Sequence, residues 1–130
     1  MDEIHILPTK NSPEFLFNPE GIFKIKGRGL FGNKTEVSDQ ITNCIDTYVI
    51  NPAEITYVII KFEYLNSFST TILVSLLRKL SQVILKSKKL VIQWYYEEDD
   101  DDILDRGEYI SESFNIPITF IMINDSIKDI

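Results

Sequence analysis

The chain predicts an α/β fold in which α-helices pack against a central mixed β-sheet. Three observations carry this expectation. Stretches with helical and with strand-like apolar spacing alternate from residue 35 onward. The apolar runs at 55–62, 90–96 and 116–123 are rich in the β-branched and aromatic residues that strands favour. Before residue 27, a turn-forming tetrapeptide separates two further strand-like segments.

Residues 4–17 mix apolar side chains with Pro8 and Pro13 and read as an irregular or edge strand. Asn18-Pro19-Glu20-Gly21 is the turn. Residues 22–26 alternate apolar and polar side chains, as a half-buried strand does, so the N-terminal edge is expected to be a hairpin. Gly27, Gly29 and Gly32 then read as a loop. Over 35–50, Val37, Ile41, Cys44, Ile45 and Tyr48 trace one face of a helix. Asn51-Pro52 closes it, because a residue before proline avoids the helical region.

The run 55–62 shows almost no alternation, so a strand covered on both faces is expected. Leu73, Leu76, Leu77, Leu80 and Ile84 then stripe a helix over 69–87. A strand follows at 90–96. A helix over 102–114 places Ile103, Gly107, Ile110 and Phe114 on one face, and a strand over 116–123 closes the order. Right-handed crossovers put the helices on one face or on both, according to a strand order that spacing does not fix.

The 130 residues predict a single domain over 1–130, and 44% hydrophobic content is that of an ordinary core. With 13 Lys+Arg against 20 Asp+Glu the formal charge is −7, which argues against a nucleic-acid partner. The balance is uneven, since residues 97–130 hold 11 acids and 2 bases. Cys44 is the single cysteine, so no internal disulfide forms and a reducing cytoplasm is the expected compartment. The N-terminus lacks a signal-peptide layout, and no apolar run approaches a membrane span, so no membrane association is expected.

Three stretches could carry chemistry. Residues 63–71 join a strand to a helix and contain Asn66, Ser67, Ser69, Thr70 and Thr71. Such side chains cap helices, and Asn66, Ser67 or Ser69 would serve. A hydroxyl at a helix start also tolerates phosphate, which meets the dipole and free N–H groups there. The run Glu97-Glu98-Asp99-Asp100-Asp101-Asp102 offers carboxylates to a hard cation, but it lacks the spaced ligands and central glycine of a calcium loop. A solvated helix start, or an acidic docking face for a basic partner, suits it better. In Trp94-Tyr95-Tyr96, alternation puts Trp94 and Tyr96 on one face; core and rim packing is the expected role, an interface the alternative.

No catalytic constellation assembles. His5 is the one histidine and sits near a terminus, while Cys44 lies on an apolar helix face. The Gly27–Gly32 stretch lacks both the Walker ending and the dinucleotide spacing. Neither a cofactor nor a resident metal is expected.

Three blocks resemble the SiaC-type regulatory phosphoproteins, whose fold is similar to the STAS domains of anti-sigma-factor antagonists. They are Asn18-Pro19-Glu20-Gly21 through Lys26-Gly27-Arg28, then Phe62-Glu63-Tyr64-Leu65-Asn66-Ser67, then Trp94-Tyr95-Tyr96-Glu97-Glu98-Asp99-Asp100. The resemblance implies a STAS-like sandwich and a phosphoacceptor directly after the asparagine of the strand-to-helix turn. That position, usually threonine in the family, is Ser67 here, with Ser69 and Thr70 as alternatives. It further implies a serine/threonine kinase, a PPM-type phosphatase, and a downstream effector that in the described pathway is a diguanylate cyclase linked to biofilm formation. The family's usual continuation of two serines, a variable residue and a lysine is replaced by Phe68, Ser69, Thr70 and Thr71.

The expectation is therefore a non-enzymatic, cytoplasmic partner-switching protein. Tyr64, Asn66, Ser67, Tyr96, Glu97, Glu98 and Asp99 are its candidate partner-binding residues. The rivals are a metal-binding or enzymatic protein using residues 97–102, and a constitutive scaffold in which Ser67 only caps a helix.

Overall fold

In the computed structural model, which describes residues 3–29 and 35–124, six strands form one sheet in simple sequence order. The strands are β1 (Ile4–Ile6), β2 (Glu14–Asn18), β3 (Ile22–Gly29), β4 (Ile55–Leu65), β5 (Lys89–Glu97) and β6 (Thr119–Ile123). The helices are α1 (Thr35–Tyr48), α2 (Ser67–Leu80) and α3 (Asp101–Ser113), and a 3-10 segment, Ser81–Lys86, extends α2. The first three strands pair antiparallel and the last four parallel, so the sheet is mixed, as the alternation of periods predicted.

Consecutive parallel neighbours joined by right-handed crossovers place every helix on the same face. The contacts agree. From α1, the Tyr48 hydroxyl lies 2.7 Å from that of Thr56 on β4, and its ring stacks edge-on against Phe23 of β3. From α3, the Ile103 carbonyl accepts the Trp94 indole N–H at 3.1 Å. Gly107 approaches so closely that a Cβ there would stand 2.6 Å from the Trp94 ring and 2.8 Å from Phe120. Between them, α2 contributes Leu73, Leu76, Leu77 and Leu80 to a single buried cluster with Phe15, Phe17, Phe23, Ile25, Val58, Ile60 and Ile92.

Among the described residues, no helix covers the other face of the sheet. This corrects the expectation of a strand covered on both sides at 55–62. Thr56, Val58, Ile60 and Phe62 are buried, whereas Tyr57 is 40% exposed and Ile55, Ile59 and Lys61 are half-buried. The alternation was masked because Ile55, Tyr57 and Ile59 are themselves apolar.

Other expectations shift at their edges. Residues 4–17 resolve into two strands, not one irregular one, separated by a bend at residues 10–12. Gly27 and Gly29 are not loop residues: β3 runs through both, with a bulge between Gly27 and Arg28. Gly32 and the side chain of Val37 lie outside the described residues. The last strand begins at Thr119, because Ile116 is held in a turn by its N–H bond to the Ser111 carbonyl. The stretch Ser67–Lys86 is long and apolar enough, by length and composition, to cross a membrane, which corrects the expectation that no apolar run approaches a span. Its apolarity is accounted for by the buried stripe that packs on the sheet.

The 18–21 turn is structural. Asn18 Oδ1 accepts from the N–H groups of Glu20 and Ile22 at 3.1 and 3.2 Å, and Gly21 adopts φ 99°, where a side chain would be strained. This turn sits at the N-terminal end of β3, the opposite end of the parallel strands from the Ser67 turn.

Candidate functional site

Parallel strands bring their C-terminal ends to one edge of the sheet, which is where open α/β sheets bind ligands. At this edge β4 runs into α2 and, beside it, β5 runs into α3. Between the two helices lies a cleft of about 760 Å³. Glu63, Tyr64, Ser67, Thr70 and Thr71 form its α2 side, and Asp100, Asp102, Asp105, Arg106 and Tyr109 form its α3 side. Leu65, Val74, Ile103 and Phe114 supply the apolar lining.

The α2 turn divides its work cleanly. Asn66 is the N-cap: its Oδ1 accepts the Ser69 N–H at 2.8 Å, and its carbonyl accepts the Thr70 hydroxyl at 2.8 Å. Ser69 is fully buried and Thr70 nearly so. Ser67 stands at the first helical position, exposed and facing the cleft. Thr71 is a second exposed hydroxyl one turn on, donating to the Ser67 carbonyl at 3.3 Å. Flanking them, Tyr64 and Phe68 are exposed, and the Arg28 guanidinium lies 5.6 Å from the centre of the Tyr64 ring.

The α3 turn follows the same logic. Asp100 caps the helix through an Oδ1 bond to the Ile103 N–H at 3.1 Å, and Asp101 and Asp102 occupy the first turn, where carboxylates favour the helix dipole. Among the described residues, no group of three or more His, Cys, Asp or Glu could hold a metal ion.

Of the expected partner-binding residues, the structure brings Tyr64 and Ser67 to the cleft, with Asn66 as the cap beneath them. Tyr96 packs against the core. Glu97 ends β5 opposite Ile123, and neither it nor the exposed pair Glu98 and Asp99 lines the cleft. Trp94 is entirely core. The carboxylates that do line it are Glu63, Asp100, Asp102 and Asp105. Asp100 and Asp102 belong to the acidic run read from the sequence as a docking face, whereas Asp105, Arg106 and Tyr109 were not singled out. Their signal was present: 102, 105, 106 and 109 recur at helical spacing beside the buried stripe of Ile103, Gly107 and Ile110.

The model of the SiaC family of regulatory phosphoproteins matches residues 6–123. The chain belongs to the SiaC family. No curated protein matches. Among solved structures, SiaC of Pseudomonas aeruginosa superposes with a TM-score of 0.81 at 17% identity, over 95% of this chain and 100% of that one. SiaC in a crystal structure described as diguanylate cyclase SiaD in complex with its activator SiaC, also from P. aeruginosa, gives 0.82 at 16% identity, over 92% and 99%. At these identities the likeness is one of fold. Within the SiaC frame, the 62–67 block ends on the cleft, the 94–100 block reaches it at Asp100, and the first block's 18–21 turn is remote from it.

Proposed function

We propose that this SiaC-family chain is a non-enzymatic, cytoplasmic partner-switching protein whose cleft docks a downstream effector and whose Ser67 is the phosphoacceptor that ends the docking. The observation that carries this reading is the position of Ser67: an exposed hydroxyl, free of capping duty, on the lip of an acidic cleft. Asn66 holds the cap, which argues against a scaffold role in which Ser67 serves only as cap. The burial of Ser69 and Thr70 makes them poor kinase substrates.

The unmodified cleft offers exposed aromatics, Tyr64 and Tyr109, around an apolar lining, with Glu63, Asp100, Asp102 and Asp105 at the rim. That suits a partner segment bearing apolar anchors and basic side chains. A phosphate on Ser67 adds about −1.5 to −2 charges to a site that already holds four carboxylates. A basic or apolar partner then meets an extra, strongly hydrated anion where it must desolvate the cleft. The named role of the P. aeruginosa relative, activator of a diguanylate cyclase, makes such a cyclase the first effector to try. A dedicated serine/threonine kinase and a PPM-type phosphatase complete the reading.

Affinity capture from the native cell tests the switch. Ser67→Ala and wild type should recover the same effector, and Ser67→Asp should recover less of it. Equal recovery with all three would remove Ser67 from the switch.

A further inference from the structure

Arg106 is the one basic side chain among the described residues lining the cleft, against Glu63, Asp100, Asp102 and Asp105. It takes part in none of the ion pairs among the described residues, although Asp102 stands one turn before it on α3. Its charge is thus held on the α3 wall without a carboxylate partner, across the cleft from Ser67. A guanidinium presents a planar fork of donors that matches phosphate oxygens two at a time. Resting on the reading of Ser67 as phosphoacceptor, we infer that Arg106 receives the phosphate of phospho-Ser67, so that phosphorylation ties α2 to α3 and closes the cleft from within.

This differs from simple repulsion. Repulsion alone would leave the cleft open and more negative, with its apolar lining accessible. A Ser67 phosphate paired with Arg106 spans the cleft and occupies the space over Ile103 and Phe114 that a partner would fill. The carboxylates Glu63, Asp100, Asp102 and Asp105, with the phenols of Tyr64 and Tyr109, face the same space. Two further guanidiniums flank the cleft, Arg28 at 5.6 Å from the centre of the Tyr64 ring and Arg78 at 5.3 Å from that of Phe114, each stacked on a ring. The carboxylates disfavour the phosphate dianion, and Arg106 is the cleft-lining cation that offsets them.

The test installs phosphoserine at position 67 during translation, so no kinase is required, and compares the full chain with Arg106→Gln and Arg106→Lys. Two readouts are followed: the 31P titration of the phosphate and the Arg106 side-chain Nε–H resonance in the phosphorylated and unmodified chain. Pairing predicts that phosphorylation shifts and sharpens the Nε–H resonance. It also predicts that Arg106→Gln raises the phosphate's titration midpoint by about half a pH unit or more. Arg106→Lys, which keeps the charge but loses the fork, should fall between the two. An unmoved Nε–H resonance with the same midpoint in wild type and Arg106→Gln would overturn the inference, and an unchanged near-ultraviolet signal of Trp94 certifies that the variants are folded. Because the phosphate is placed by design, this result is independent of whether the cell's own kinase uses Ser67. Failure of the pairing and failure of the proposed function are therefore separable.

Discussion

Asn66 and Ser69 are joined by a 2.8 Å bond from the Ser69 backbone N–H to the Asn66 side-chain oxygen, and that bond releases the intervening Ser67 from capping α2. Asn66→Ala should therefore destabilise the protein by about 1 kcal/mol, whereas Ser67→Ala should stay within about 0.5 kcal/mol of wild type. Urea denaturation of the two variants checks the division. A larger cost at Ser67 than at Asn66 would reverse it.

Gly107 sets how closely α3 lies on the sheet. A methyl group there would stand 2.6 Å from the Trp94 ring and 2.8 Å from Phe120, and both are ring atoms of packed side chains that yield little. Gly107→Ala should push α3 off the sheet at a cost of about 1–3 kcal/mol. A lowered melting temperature with altered Trp94 fluorescence is the expected signature.

The Tyr48 hydroxyl ties α1 to the start of β4. It lies 2.7 Å from the hydroxyl of Thr56, which is fully buried, and accepts the Ala53 N–H at 3.2 Å. Tyr48→Phe leaves both groups without this partner and should cost about 1–3 kcal/mol. Adding Thr56→Val to Tyr48→Phe should recover part of the loss, because the second buried hydroxyl is then also gone. Thermal melts of the two variants compare them directly.

Burial raises the pKa of the Cys44 thiol above its ordinary 9.0. The native protein should accordingly react slowly with alkylating reagents at neutral pH, and unfolding in urea should release fast labelling. The raised value favours the neutral thiol in the folded state. The stability this group contributes is therefore fully present below pH 9.0 and is lost as the pH climbs through the folded value. Alkylation rates followed by mass spectrometry, with and without urea, check the first half; urea melts above pH 9 check the second.

Much of this architecture was legible in the sequence because its elements are periodic. The stripes of α1, α2 and α3 and the alternation in β3 are local signals. Strand order is not local, and with it went the knowledge that all helices share one face. The apolar Tyr57 and Ile59 concealed that open face by filling positions where polar residues would have revealed it. Gly27 was misread because glycine marks bulges within strands as well as loops between them.

The site divides along the same line. The Ser67 turn stood out through its family resemblance, and Asn66 through the chemistry of caps. On its opposite wall, Asp100 and Asp102 stood out only as part of an acidic run, and Asp105, Arg106 and Tyr109 not at all, because they become its neighbours only when β4 and β5 pair in parallel. Glu98 and Asp99 attracted notice as part of a charge run, yet both are exposed and neither lines the cleft, which takes Asp100 and Asp102 from the same run.

Site-resolved mass spectrometry of the protein isolated from its native cells, with and without phosphatase treatment, tests the central claim most directly. The account predicts a phosphatase-sensitive phosphate on Ser67 that disappears in Ser67→Ala. Phosphate on Thr71, Ser69 or Thr70 that persists in Ser67→Ala would contradict it.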